Sequence, residues 1–266
     1  MKRILNPSRA LVLAVALLLG AVAGAITFGR PDGNGHPNVG ALIAEWSVPG
    51  QKDLLCSGTL ISPTVFLTAA HCTAFLESRG ITQVWVTFDA QFTANSELIP
   101  GTMHTNPNFN GAQSDPGDIA VITFDRRVKG ITPASLPSAG LFDRLKAEGK
   151  LKGKKFTAVG YGVHEPTRGG GPPSFPFSSD RWVAVSEFNA LNNAWLRLSQ
   201  NDATGDGGTC YGDSGGPNFL GAGDNETSIV AALTVTGDAM CLATNVVYRL
   251  DTPSARRFLE DFVVLP

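Results

Sequence analysis

Ser214 stands in the segment Gly212-Asp213-Ser214-Gly215-Gly216-Pro217, where small, turn-compatible residues surround a single hydroxyl. Glycines on both sides allow a tight bend that presents the serine and leaves neighbouring backbone N–H groups free to face an oxygen anion. A serine hydroxyl is a weak nucleophile at neutral pH, so such a turn needs a general base, and the base needs a third group to fix its tautomer. The chain has four histidines. His36 lies among Gly, Asn and Pro, His104 opens a polar stretch running to Gly111, and His164 opens a Gly/Pro-rich segment. All three read as surface residues. His71 follows the apolar run Val65-Phe-Leu-Thr68 and directly precedes Cys72, which is a rigid place to mount a base. Asp118 precedes Ile119-Ala-Val-Ile-Thr-Phe124, so its carboxylate falls at the edge of a buried strand and needs a partner, which His71 supplies. Nucleophile, base and orienting acid together point to acyl transfer through a covalent intermediate.

The elements that must position these groups are short strands. Apolar runs at Val39–Trp46, Gly58–Ile61, Val65–Thr68 and Val84–Phe88 form one series. A second series comprises Lys155–Val159, Trp182–Val185, Ala194–Leu198, Ser228–Val235 and Asn245–Arg249. Two β halves result, 26–140 and 141–266, with a connector around Leu136-Pro137 and a short helix over Leu141–Glu148. Glu165–Ser179 is rich in Gly, Pro and Ser and reads as a surface loop. A terminal helix begins at Pro253, capped by Asp251 or Thr252, with Ala255, Phe258, Leu259 and Phe262 on the face directed at the second half. With 30 Gly, 17 Pro and only 17% charged residues, the composition agrees with an all-β class.

The start of the chain has a different character. Lys2, Arg3 and Arg9 precede the apolar run Ala10–Leu19, and Ala23-Gly24-Ala25 supplies the small residues of a cleavage site. Residues 1–25 therefore read as an export signal. Its removal takes the net charge from −2 to −5, leaving 18 cations against 23 acids. An acidic chain without a basic, aromatic-interleaved patch excludes nucleic acid as a partner. The expected product is a secreted monomer with no lasting membrane association. Its four cysteines, Cys56, Cys72, Cys210 and Cys241, pair in that compartment, with three connectivities open from spacing alone. No CxxC pair is present, so no metal site and no cofactor are expected.

Thr68-Ala-Ala-His71-Cys72, Asp118-Ile-Ala and Gly212-Asp-Ser214-Gly-Gly-Pro, in this order, resemble the signature blocks of the chymotrypsin/trypsin family of serine proteases. Cys56-Ser-Gly-Thr-Leu-Ile61, Gly160-Tyr-Gly162 and the terminal helix extend the resemblance over most of the chain beyond residue 25. It implies two antiparallel six-stranded β-barrels with a C-terminal helix and a serine endopeptidase acting on protein or peptide substrates. His71, Asp118 and Ser214 would be its triad. It further implies Cys56–Cys72 and Cys210–Cys241 disulfides and an oxyanion hole of the Gly212 and Ser214 N–H groups. By the same resemblance, Gly208, Thr209, Gly237 and Val246 surround the substrate pocket. Gly208 stands six residues before the nucleophile, where relatives that cut after Arg or Lys keep Asp. Val246 replaces a glycine, and the pocket is expected to accept small or medium uncharged side chains. Val235 stands where relatives place a Ser that bonds the buried Asp, with Thr234 or Thr236 as substitutes. Finally, Ile26 would be the new N-terminus whose ammonium pairs with Asp213. Two other classes compete: a catalytically silent, protease-like binding protein, and an α/β-hydrolase esterase. The esterase is excluded because no histidine follows Ser214.

Overall fold

Residues 26–167 and 172–266 are described by a computed structural model. Residues 1–25, where an export signal is expected, lie outside the described residues. Six strands rich in β-branched and aromatic residues close the first barrel: β2 (Val39–Ala44), β3 (Asp53–Ser62), β4 (Val65–Thr68), β5 (Val84–Thr87), β6 (Ile99–Thr105) and β7 (Ala120–Thr123). Their order around the barrel is β2-β3-β4-β7-β6-β5, every pair antiparallel. Leu42, Leu60, Phe66, Leu76, Val86 and Ile122 fill it. Closure leaves no unpaired strand edge, so buried backbone groups find partners inside the barrel.

The second barrel comprises β8 (Lys155–Gly160), β9 (Trp182–Leu191), β10 (Trp195–Ser199), β11 (Pro217–Leu220), β12 (Val230–Gly237) and β13 (Thr244–Arg249). The order β9-β10-β13-β12-β11-β8 closes through the β8–β9 pairing. The two-residue strand β1 (Arg30–Pro31) adds to β9. The stretch from Ile26 to Pro31, grouped with the first half on sequence order, therefore runs along the second barrel. There Thr27 exchanges two backbone hydrogen bonds with Gly208, of 2.9 and 3.0 Å.

One guanidinium ties these parts together. Arg181 is buried, and its Nε donates to Asp32 at 2.8 Å and its Nη2 to the Gly33 carbonyl at 2.9 Å. Nη1 reaches the carbonyls of Val39 and Phe88 on the first barrel at 2.9 and 3.1 Å. A buried cation is tolerated because each donor has an acceptor and a carboxylate offsets the charge.

Among the described residues three α-helices accompany the strands: α1 (Ala70–Ser78), α2 (Leu141–Ala147) and α3 (Pro253–Leu259). Thr252, not Asp251, caps α3, its hydroxyl accepting from the Ala255 N–H. Asp251 instead accepts from Arg249 and from the Phe142 N–H at the start of α2. Ala255, Phe258 and Leu259 join the core cluster shared by both barrels, and Phe262 continues onto His104 of β6, with ring centroids 5.1 Å apart. The terminal helix thus bridges the halves, where the sequence pointed to the second alone. Among the described residues no helix is long and apolar enough to cross a membrane.

Candidate active site

His71 occupies the first turn of α1, directly after β4. The Cys56–Cys72 disulfide, with Cα atoms 6.5 Å apart, fastens this turn to β3. Asp118 enters β7 after Gly117, whose φ of +62° and close approach to Asn106 and Asn108 leave no room for a side chain. Asp118 is 3% exposed, and its two oxygens accept from one residue. Oδ1 takes the His71 backbone N–H at 2.9 Å and Oδ2 takes ring Nδ1 at 2.8 Å. With its proton fixed on Nδ1, the ring presents Nε2 as the free base. Neither Thr234 nor Thr236 adds a bond to Asp118; Thr234 is engaged by Asn218 instead.

Ser214 comes from the turn before β11. Gly215 has φ +77°, and a Cβ there would stand 2.3 Å from Thr68 Oγ1 and 2.6 Å from the Ala69 nitrogen. The serine turn therefore lies directly on the strand end that carries His71. Ser57 stitches the two together: its N–H donates to the Ser214 carbonyl at 2.8 Å and its hydroxyl to the Gly212 carbonyl at 3.1 Å. Ser57 and Gly215 both lie in segments the sequence marks, but their contacts across the site are long-range and carry no local signal.

No hydrogen bond joins the Ser214 hydroxyl to His71, whose ring is bonded through Nδ1 to Asp118 alone. Around the turn the N–H groups of Asp213, Gly215 and Gly216 are all engaged. Those of Gly212 and Ser214 donate to no described residue, which leaves two adjacent donors for a substrate oxygen.

Asp213 is fully buried against Gly160 and Gly162, where a Cβ would come within 2.2 and 2.6 Å of its carboxyl group. It accepts from the Gly162 and Cys210 N–H groups, both at 2.8 Å. Burial outweighs these bonds and pushes the carboxyl up to about 7. Ile26 is also buried, packed with Ala158, Trp182 and Ala184, but forms no bond with Asp213 while the chain continues through it.

The pocket residues divide between two places. Thr209 donates to Asn245 at 2.8 Å, and Asn245 pairs across the sheet with Gly237. Val246, the next residue on β13, faces the other way. It lines a cleft of about 470 Å³ with His71, Trp195, Arg197 and Val235. Gly237, the strand partner of Asn245, lines this cleft as well, so it joins the two places. The Cys210–Cys241 disulfide links the two segments that carry Thr209 and Gly237. Tyr211 reaches across from one to the other, donating to the Ala239 carbonyl at 3.1 Å.

The remaining histidines are not free surface groups. His36 lies between Asp32 and Glu226, Nδ1 at 2.5 Å from the one and Nε2 at 2.7 Å from the other. Burial opposes its charge, yet the two carboxylates raise it to about 9. His164 is buried against Trp182, and desolvation lowers it to about 4. His104 bonds Thr123. Cys56, His71 and Cys72 are close enough to hold a metal, but the two sulfurs are joined to each other and offer no thiolate. A cavity of about 950 Å³ lies between α3 and the tail Phe262–Leu265, lined by Asp143, Asp251, Arg256 and Glu260 and by no serine, cysteine or histidine.

This geometry, two closed barrels contributing opposite sides of one site, is that of a trypsin-like serine protease fold. The family model for trypsin matches residues 23–255, and the chain belongs to that family. It is 28% identical over 175 residues to glucanase inhibitor protein 3 of Phytophthora sojae, covering 63% of this chain and 62% of that protein. It is 30% identical over 191 residues to the thrombin-like enzyme saxthrombin of Gloydius intermedius, covering 66% of each. The chain thus spans just under two thirds of the length of these two relatives. A solved structure of HL collagenase superposes with a TM-score of 0.65 at 17% identity, over 88% of this chain and 96% of that one.

Proposed function

We propose that this chain is a secreted serine endopeptidase, with residues 1–25 removed on export and 26–266 forming the peptidase. The observation that carries the reading is the Asp118 carboxylate bonded to both N–H groups of His71, facing a serine turn with two unspent backbone donors. In the reaction, His71 takes the Ser214 proton as the hydroxyl attacks a peptide carbonyl, and the Gly212 and Ser214 N–H groups hold the resulting oxyanion. His71 then protonates the leaving amine, and water releases the acyl group by the reverse sequence. Asp118 keeps the ring oriented and offsets its transient charge.

The test is labelling by a fluorophosphonate together with hydrolysis of a protein substrate. The secreted protein is expected to react covalently at Ser214, and Ser214→Ala to lose the label and on the order of 10⁴ to 10⁶ in kcat, the scale set by the Ser-His-Asp template. A second reading, a protease-like binding protein without catalysis, is favoured by the relatives named as glucanase inhibitors. A folded protein that neither labels nor cleaves establishes that reading instead.

Activation follows from the buried Asp213. Cleavage after Ala25 frees the amine of Ile26, held close to the second barrel by the Thr27–Gly208 pairing, to enter and neutralise the carboxylate. Active protein is expected to begin at Ile26, and a form with an extra residue ahead of it to be nearly inactive. N-terminal sequencing of the active fraction decides; a start upstream of Ile26 removes this scheme.

A further inference from the structure

We propose that Ser57, on β3 of the first barrel, acts through its side-chain hydroxyl as a positioning residue: it holds the peptide between Gly212 and Asp213 so that the free N–H groups on either side converge on one substrate oxygen. The inference rests on the peptidase reading above. Ser57 is fully buried, and its hydroxyl lies between two backbone groups from across the site. It accepts from the Tyr161 N–H at 3.0 Å and donates to the Gly212 carbonyl at 3.1 Å. An N–H only donates and a carbonyl only accepts, so the hydroxyl proton has one place to go.

The peptide that Ser57 grips separates the two open donors. The Gly212 N–H belongs to the peptide before it and the Ser214 N–H to the peptide after it, and neither donates to a described residue. Rotating the middle peptide therefore changes the angle between them. Its N–H end is tied, Asp213 donating to the Cys210 carbonyl at 3.1 Å. Its carbonyl end is tied by Ser57, the one donor to the Gly212 carbonyl among the described residues. Gly212 itself offers no resistance to rotation: its φ is +95°, and it lacks a side chain, which would meet the Gly162 Cα at 2.9 Å.

The remainder of Ser57 is fastened to the same surroundings. Its N–H donates to the Ser214 carbonyl at 2.8 Å, its carbonyl accepts from Thr68 Oγ1 at 2.8 Å, and its Cβ lies 3.2 Å from where a Cβ on Gly216 would stand. An alanine at this position keeps all of these contacts. What it lacks is the hydroxyl relay, so the Tyr161 N–H and the Gly212 carbonyl lose their partners, and a buried carbonyl on a glycine turns to find another. The cost falls on the transition state, because only there does an oxyanion sit between the two donors.

The experiment is steady-state hydrolysis of one peptide substrate by Ser57→Ala, Ser57→Gly and Ser57→Thr. Fluorophosphonate labelling to completion counts the competent sites in each sample, and urea unfolding records stability. The two variants without a hydroxyl are expected to lose about 10- to 100-fold in kcat per labelled site, with KM within about twofold of wild type. Ser57→Thr keeps the hydroxyl and is expected to keep kcat within about threefold. A folded Ser57→Ala or Ser57→Gly protein with kcat within about twofold of wild type overturns the role of Ser57 and leaves the peptidase reading standing. So does a loss that Ser57→Thr shares in full, since packing rather than the hydroxyl would then be its cause. Wild-type protein that folds but does not label overturns the peptidase reading, and this inference with it.

Discussion

The two barrels deliver their halves of the site in opposite conditions. On the first barrel, His71 and Asp118 are closed on each other, with ring Nδ1, backbone N–H and both carboxylate oxygens satisfied. On the second, Asp213 is buried without a cation, the Gly212 and Ser214 N–H groups are unspent and Gln200 holds a bare acceptor. The contrast separates polar groups that are complete in the fold from those that are left without partners. Groups finished during folding orient the chemistry; the open donors of Gly212 and Ser214 admit what the chemistry acts on.

The strongest way to break the comparison is on the first barrel. Asp118→Asn keeps the shape but no longer enforces the Nδ1–H tautomer, and the template scale gives a loss of about 10⁴ in kcat, with little change in substrate KM. Steady-state kinetics with active-site titration reads it. A loss below about tenfold would mean that the histidine is oriented by something other than this carboxylate.

A smaller loss is expected on the second barrel. Gly162→Ala drives a methyl group into the seat of Asp213, where the Cβ would lie 2.6 Å from the carboxyl carbon. Displacing Asp213 disturbs the adjacent oxyanion donors, at about 10² to 10³ in kcat. The overpacking itself costs about 1–3 kcal/mol of stability. Parallel kinetics and urea unfolding separate the two effects. Unchanged kcat with lowered stability would show that the turn tolerates a moved Asp213.

Acidity sharpens the picture further. Folding raises His36 from 6.5 to about 9, so its contribution to stability is complete below pH 6.5 and is lost as pH rises through 9. Folding lowers His164 from 6.5 to about 4, so its contribution is complete above pH 6.5 and disappears as pH falls toward 4. Thermal melts are expected to fall from pH 6.5 to 10 along the limb set by His36, while below pH 6.5 the loss at His164 is offset by Asp213, whose raised carboxyl favours the folded state at low pH. His36→Ala should flatten the alkaline limb, by at most about 1.4 kcal/mol for each unit of pKa shift removed. An alkaline limb unchanged in that variant would sever the link to the Asp32–His36–Glu226 cluster.

The smallest effect is assigned to Val246. Because Val246 lines the cleft beside His71 with Trp195 and Arg197, Val246→Ala is expected to change the ratio of kcat/KM for Leu over Ala before the scissile bond by a few-fold at most, about 1 kcal/mol or less. A larger shift would make Val246 a principal wall of the substrate site.

What the sequence made legible follows the range of the interactions. The serine turn, the residues around His71, and α3 with its Thr252 cap are specified within a few neighbours, and each was readable. β6 was not: Ile99-Pro-Gly-Thr-Met-His-Thr105 has a proline, a glycine and little apolar alternation, and it is a strand because β5 and β7 pair with it. His164 looked exposed among glycines and prolines, yet it is packed against Trp182, a residue 18 positions away that carries no local signal. Gln200 sits between Ser199 and Asn201 in a polar stretch, and only the approach of Gly208, Thr209 and Cys241 buries it. The offset between Val246 and Asn245 is one residue, but on a strand one residue exchanges the faces.

Arg181 has a further consequence for how the molecule comes apart. Its single guanidinium is held at once by the N-terminal segment through Asp32 and Gly33 and by the first barrel through Val39 and Phe88, while its backbone leads into β9 of the second. Loosening either barrel strands a desolvated charge in the other, which makes partial opening costly and couples the two melting events. Two barrels of separate strand order should therefore give one calorimetric peak, with equal van't Hoff and calorimetric enthalpies, and Arg181→Met should be the change that divides it into two.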